Sequence, residues 1–116
     1  MGTSIATAQD RLEQNCAEAL SRFFPFSKPV HLPVQVTALR GSSVNLREAT
    51  VVEFATAEHA IFLSSLPLEF ADRVRLERGR KGLAAEAKVV AVQYFEGRKA
   101  VAVKFIQGPC TWVMEP

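Results

Sequence analysis

The N-terminal part of the chain has the pattern of an amphipathic helix. Residues 7–24 contain neither Gly nor Pro, and apolar side chains recur there at spacings of three and four, at Leu12, Cys16, Ala19, Leu20 and Phe23. Polar side chains fall largely between them. This spacing predicts a helix with one apolar stripe and one solvated face. We expect the stripe to pack on its own domain or on a second copy of the chain, with a partner-binding surface as the alternative.

A change of period follows the helix. Pro25, Pro29 and Pro33 prevent helix continuation, because proline lacks the N–H donor and the backbone freedom that a helix needs. Residues 30–38 then alternate apolar and polar side chains, which is typical of a half-buried strand. Pro33 predicts that this strand lies at an edge or carries a bulge.

Five further segments read as strands, separated by turn residues such as Gly41, Ser42, Gly79 and Gly97. They cover residues 49–55, 60–63, 74–77, 83–94 and 99–106. Six short strands with turn signals between them favour a closed antiparallel barrel, which leaves no exposed sheet edge. The predicted fold is therefore mainly β, a six-stranded antiparallel β-barrel with one N-terminal α-helix. The apolar phase predicts burial of Val34, Val36, Val101, Val103 and Phe105.

Length and composition fit one globular domain. The chain has 116 residues, 48% of them hydrophobic and 22% charged. We divide it into a helix and connector at residues 1–28 and a barrel with a C-terminal tail at residues 29–116. A formal charge of +2, from 14 basic and 12 acidic residues, argues against wholesale binding to nucleic acid or to an anionic membrane.

The sequence indicates a cytoplasmic protein without membrane insertion. No apolar run approaches the ~20 residues needed to cross a bilayer. No secretory signal is recognisable, so we expect Cys16 and Cys110 to be reduced packing residues rather than a disulfide.

Catalytic and metal-binding patterns are missing from the sequence. His31 and His59 belong to no nucleophile, carboxylate or metal-ligand motif, and neither cysteine has a ligand at metal-site spacing. No phosphate loop and no Gly-x-Ser-x-Gly elbow is present. We therefore predict no catalytic residue, no metal and no cofactor, and we expect that the protein is not an enzyme.

One dense charge cluster occurs at residues 72–81. It holds five basic side chains in ten positions, namely Arg73, Arg75, Arg78, Arg80 and Lys81. If Val74 and Leu76 point into the core, the arginines between them face outward. The cluster then serves either as a solvated strand face that prevents aggregation or as a patch for an anion or an acidic partner.

With these strands placed, residues 30–106 resemble a divergent PilZ domain, a bacterial six-stranded β-barrel family known for binding cyclic di-GMP. The resemblance is carried by VHLPVQV at residues 30–36, TVVEF at residues 50–54 and VAVKF at residues 101–105. It covers about two-thirds of the chain and implies the barrel fold, with a role in bacterial signalling.

The ligand signature of that family departs here from its usual form. The family has Arg-x-x-x-Arg before the first strand, whereas this chain has Arg22 as the only nearby arginine and continues through Phe23–Phe26 to Lys28. The family also has Asp/Asn-x-Ser-x-x-Gly after the second strand, and Glu53, Ala55 and Glu58 stand at those positions. The resemblance therefore implies the fold but a weakened nucleotide site.

Two functions follow as expectations. The first is a PilZ-like regulatory domain that acts through protein contacts, with a degenerate cyclic di-GMP site and with its helix available for homo-oligomer formation. The alternative is a cyclic di-GMP-binding module that uses the replacement cations Lys28, Arg40 and Arg47. An enzyme and a nucleic-acid-binding protein are less favoured than either of these two functions.

Overall fold

Six strands form a closed antiparallel barrel. The computed structural model describes residues 16–39, 46–79, 82–95 and 98–114. The strands are β1 (Lys28–Ala38), β2 (Arg47–Ala55), β3 (His59–Ser64), β4 (Arg73–Arg78), β5 (Leu83–Phe95) and β6 (Arg98–Phe105). Around the barrel they follow the order β1-β2-β3-β6-β5-β4, and pairing of β1 with β4 closes it. The predicted mainly β barrel is confirmed.

The inward phase of each strand fills the barrel. Val34, Val36, Val101, Val103 and Phe105 are all buried there, as the alternation predicted. Phe62, the largest fully buried side chain, belongs to the same core cluster as Leu32, Leu76 and several valines. A short 3-10 helix, Thr111–Met114, adds Val113 to this core.

Pro33 lies where β1 has one strand neighbour. It pairs with Val51 of β2, whereas the β1–β4 ladder covers only Gln35–Ala38 on the β1 side. A register shift between Pro29 and Leu32 adds an irregularity to the same half of β1. The missing N–H of Pro33 is therefore tolerated for the reason that the sequence indicated.

A helix, α1, packs on the outside of the barrel. Residues 16–21 are its described part. Cys16, Ala17 and Leu20 are buried against Ile61 of β3 and against Ala100 and Ala102 of β6. The small side chains on β6 allow the helix to approach closely, and the Cys16 thiol donates a hydrogen bond to the Gln93 carbonyl at 3.2 Å. Cys16 and Leu20 of the predicted stripe therefore pack on the barrel of the same chain.

Two details of the helix prediction change. The helix was expected to reach Phe24, but it ends at residue 21, and the following N–H groups of Arg22, Phe23 and Phe24 bond to carbonyls three residues back. The reason is Pro25, which disfavours helical backbone at the residue before it. Phe23 was expected to be buried in the stripe, and this is wrong, since it is 76% exposed. Leu12 lies outside the described residues.

Candidate functional site

An open cleft lies where the segment after α1 meets the β2–β3 turn. Residues 23–26 form one wall and residues 56–59 form the other, around a volume of about 600 Å³. The first wall is Phe23-Phe24-Pro25-Phe26, so the cleft is mainly apolar and aromatic. An apolar concavity with a few polar groups at its rim is the usual form of a binding site.

Thr56 fixes the β2–β3 turn that forms the second wall. Its hydroxyl oxygen accepts hydrogen bonds from the backbone N–H groups of Glu58 at 3.0 Å and His59 at 2.9 Å. Its own N–H donates to the His59 carbonyl at 2.9 Å. A threonine side chain that satisfies two backbone donors stabilises a tight turn, so this wall is preformed.

His59 joins the two walls of the cleft. Its ring packs against Phe24 with centroids 4.8 Å apart and planes inclined by 46°. The Thr56 hydroxyl oxygen lies 3.3 Å from Nδ1, and because that oxygen already accepts two backbone N–H groups, its proton is free to bond Nδ1. This arrangement assigns the ring proton to Nε2.

Burial lowers the pKa of His59 below its usual 6.5, and the positive charge of Lys104 lowers the pKa further, while Glu58 opposes both effects. The imidazole is therefore neutral at neutral pH. In that state His59 presents a flat, partly buried ring to the cleft rather than a positive charge.

Two phenylalanine side chains at the cleft are open to solvent. Phe23 is 76% exposed and Phe26 is 86% exposed. Isolated surface aromatics are common, but two within four residues beside a concave apolar wall make this cleft the candidate interaction site. The sequence analysis assigned no role at this site to Phe26 or His59. The Phe-Phe-Pro-Phe run was the signal that could have indicated it, because the proline prevents a helix that could bury all three rings.

The predicted nucleotide-binding cations do not come together. Lys28 pairs with Ala55 at the cleft end of the β1–β2 ladder, whereas Arg47 pairs with Thr37 at its other end. At ~3.3 Å per residue the two positions are roughly 26 Å apart, too far to hold the same phosphate. Arg40 lies outside the described residues.

The arginines of β4 have different environments. Arg73 and Arg75 point outward and are exposed, while Val74 and Leu76 are buried, as expected. Nε of Arg75 lies 3.8 Å from Oε1 of Glu77. Arg78 is half-buried and donates to the Trp112 carbonyl at 3.1 Å, a contact that ties the 3-10 helix to β4. Arg80 and Lys81 lie outside the described residues.

Chemically reactive groups are sparse in this part of the chain. Cys16 and Cys110 are free thiols and both are buried. Burial raises the pKa of the Cys110 thiol, which makes it a poorer nucleophile.

Within the ranges described above, no group of three or more His, Cys, Asp or Glu side chains is placed to hold a metal ion. No helix among those residues has the length and apolar character to cross a membrane.

No known family model matches this chain, and no curated protein matches it.

Proposed function

We propose that this chain is a PilZ-like, non-enzymatic regulatory domain of bacterial signalling that works by binding a partner protein at the aromatic cleft. The observation that carries the proposal is the chemistry of that cleft. Its walls include three phenylalanines, a proline and a neutral imidazole, which suit an apolar side chain of a partner.

The position of the cleft supports the PilZ-like interpretation. The resemblance implies that two segments hold the nucleotide, one before the first strand and one after the second. In this chain the corresponding segments are residues 22–28 and 53–58, and parts of both line the cleft. An open cleft at this location supports a ligand-binding role there, with a chemistry different from that of the family signature.

Electrostatics at the same location favour a protein over cyclic di-GMP. Glu58 is exposed on the cleft wall, where its carboxylate repels a phosphate. Ala55, at the serine position of the family signature, is buried and offers no hydroxyl. Each charge-assisted hydrogen bond contributes about 1.5 to 3 kcal/mol, so losing two weakens binding by about two orders of magnitude or more.

Calorimetric titration with cyclic di-GMP tests the nucleotide half of the proposal. We expect no saturable binding in the micromolar range. Saturable micromolar binding that disappears on Lys28→Ala or Arg47→Ala would instead support the alternative, a nucleotide-binding module with replacement cations.

Photo-crosslinking in the producing cell tests the protein-contact half. A photoreactive amino acid replaces Phe26 in one variant and Gln35, an exposed residue of β1, in a matched control. We expect a discrete covalent adduct with another protein from position 26 and none from position 35. Equal, diffuse labelling from both positions would remove the cleft as the contact surface.

A further inference from the structure

Four side chains form one row across four neighbouring strands, three of them cationic and the fourth the imidazole of His59, which is neutral at neutral pH. Arg73 of β4 lies opposite Lys88 of β5, Lys88 lies opposite Lys104 of β6, and Lys104 lies opposite His59 of β3. Residues paired in this way point to the same face of a sheet. We call Arg73, Lys88, Lys104 and His59 the basic row.

The basic row faces solvent. The neighbouring Val74, Ala87 and Val103 are fully buried, so the alternating residues of the row point outward. Arg73, Lys88 and Lys104 are exposed, and His59 is half-buried beside Phe24. With strands ~4.8 Å apart, the three steps of the row span roughly 15 Å.

The three cations of the row make no direct ion pair with a described residue. Considering the described residues alone, Arg73, Lys88 and Lys104 form no ion pair within 4.0 Å, in contrast to Arg75, which pairs with Glu77. Like charges directly opposite each other in a sheet are destabilising. Folding therefore gains nothing from this arrangement, whereas an anionic ligand would relieve the repulsion.

The row is narrow, and it ends at the aromatic cleft. On one side lies α1 with its apolar contacts to Ile61 and Ala102. On the other side, Glu86 stands opposite Arg75, and Glu58 lies in the β2–β3 turn. His59 belongs to both the row and the cleft wall, so one ligand can contact the two together.

We propose that the basic row binds an acidic segment of the partner protein, with an adjacent apolar residue of that segment in the aromatic cleft. This inference rests on the proposed function and names the chemistry of the partner. An extended segment rises ~3.3 Å per residue, so about five residues match the row, with carboxylates at alternate positions facing it. Charge complementarity of this kind fixes register and raises the association rate.

The same surroundings disfavour a polyanion such as single-stranded nucleic acid. A single nucleic-acid strand is bound in a broad positive groove that follows its backbone and that carries aromatic side chains for base stacking, and the basic row is one side chain wide. Glu58 and Glu86 border the row and would repel neighbouring phosphates.

Fluorescence anisotropy with a labelled peptide of about six residues, leucine followed by alternating glutamate and alanine, tests the inference. We expect saturable binding that weakens as salt is added and that is lost when glutamine replaces the glutamates. The double variant Lys88→Gln, Lys104→Gln should bind about tenfold more weakly, since it removes two ion pairs. Arg75→Gln, on the same face but paired with Glu77, is the matched control and should bind as the original chain does.

Further measurements distinguish binding at the cleft from binding at the row, and binding of the peptide from binding of other anions. Phe26→Ser should weaken binding of the leucine peptide but should not change binding of a peptide that has alanine in place of leucine. Binding of tripolyphosphate or of an oligo-dT strand through Lys88 and Lys104, without peptide binding, would overturn the inference in favour of a phosphate ligand. Equal loss of binding in Arg75→Gln and the double variant would overturn it in favour of unspecific charge attraction.

The outcomes also distinguish this inference from the proposed function. If the adduct formed from position 26 persists in the Lys88→Gln, Lys104→Gln chain, the partner-protein proposal stands and the inference about its acidic segment fails. If no adduct forms and no peptide binds, both fail. Because all the substituted side chains are exposed, circular dichroism should show an unchanged fold in every variant.

Discussion

The ring of Phe24 lies 4.8 Å from the ring of His59, and this contact joins the segment after α1 to the turn between β2 and β3. Phe24 also packs against the apolar cluster beneath the helix. The Phe24–His59 contact therefore connects the helix, the cleft and the basic row. A change at His59 should affect both the stability of the fold and the chemistry of this surface.

The first prediction concerns the pH dependence of folding through His59. Its pKa in the folded protein is below 6.5, so the unfolded chain takes up the proton first. The free energy of unfolding should therefore fall as the pH drops below about 6.5, and this component should be absent above that value. Urea unfolding of the original chain and of His59→Gln, at about pH 7.5 and about pH 5, measures the difference.

Replacement of His31, which is exposed on β1, provides the control for that experiment. His59→Gln should show a smaller loss of stability on acidification than the original chain does, and His31→Gln should show the same loss as the original chain. An identical acid response in all three proteins would mean that His59 is not desolvated in solution.

A second prediction compares two phenylalanines. Phe105 is 5% exposed inside the barrel, whereas Phe26 is 86% exposed at the cleft. Phe105→Ala should destabilise the fold by about 3 to 5 kcal/mol, because it removes a buried ring and leaves a cavity. Phe26→Ala should change stability by less than about 0.5 kcal/mol. Denaturant unfolding of both variants checks the register of β6, and a loss below about 1 kcal/mol for Phe105→Ala would contradict it.

The third prediction is that the barrel needs α1. A chain beginning at Lys28 would expose Ile61, Ala100 and Ala102, which the helix now covers. We expect that chain to be less stable and to self-associate, since a contiguous apolar surface is returned to water. Thermal unfolding and sedimentation of the two chains provide the measurement. Equal stability and an unchanged sedimentation coefficient would show that the helix is dispensable.

The strands could be predicted from sequence because alternation and burial agree. Val34, Val36, Val101 and Val103 alternate with polar residues, and the barrel buries all four. The end of the helix was harder to predict, because the apolar spacing continues to Phe23 without interruption while Pro25 disfavours helical backbone at Phe24. The irregularity between Val89 and Ala91 was also hidden. There the register shifts, and Val90 and Ala91 both pack against the helix cluster, which a strict period of two does not indicate.

The candidate site depends on contacts between distant parts of the chain. Lys88 and Lys104 show no relationship in sequence, and only the ladder pairing brings them opposite each other. The cluster of arginines at residues 73–78 was visible as a run, yet pairing separates Arg73, which joins the basic row, from Arg75, which pairs with Glu77. The sequence shows where the basic residues stand along the chain, and the strand register decides which of them lie side by side.

The start of β2 illustrates a polar side chain on an inward phase. Glu48 lies opposite the buried Val36, and the predicted strand, residues 49–55, did not include it. A carboxylate at such a position is unfavourable without partners. The structure supplies partners from the end of β3. The hydroxyl of Ser64 donates to Oε1 at 2.7 Å, and the Ser65 N–H donates to both carboxylate oxygens at 3.1 and 3.0 Å.

The fourth prediction follows from this carboxylate. Glu48→Ala would leave the Ser64 hydroxyl, at a buried position, and the Ser65 N–H without their acceptor, and we expect a loss of about 1 to 3 kcal/mol in the free energy of unfolding. Glu69→Ala removes an exposed carboxylate and is the matched control, with an expected change within about 0.5 kcal/mol. Urea unfolding of both variants gives the comparison, and hydrogen exchange at the Ser65 amide adds a local readout, since that amide should exchange faster only in Glu48→Ala. Equal stability of the two variants would place Glu48 in solvent and contradict the β1–β2 register on which the position of the cleft depends.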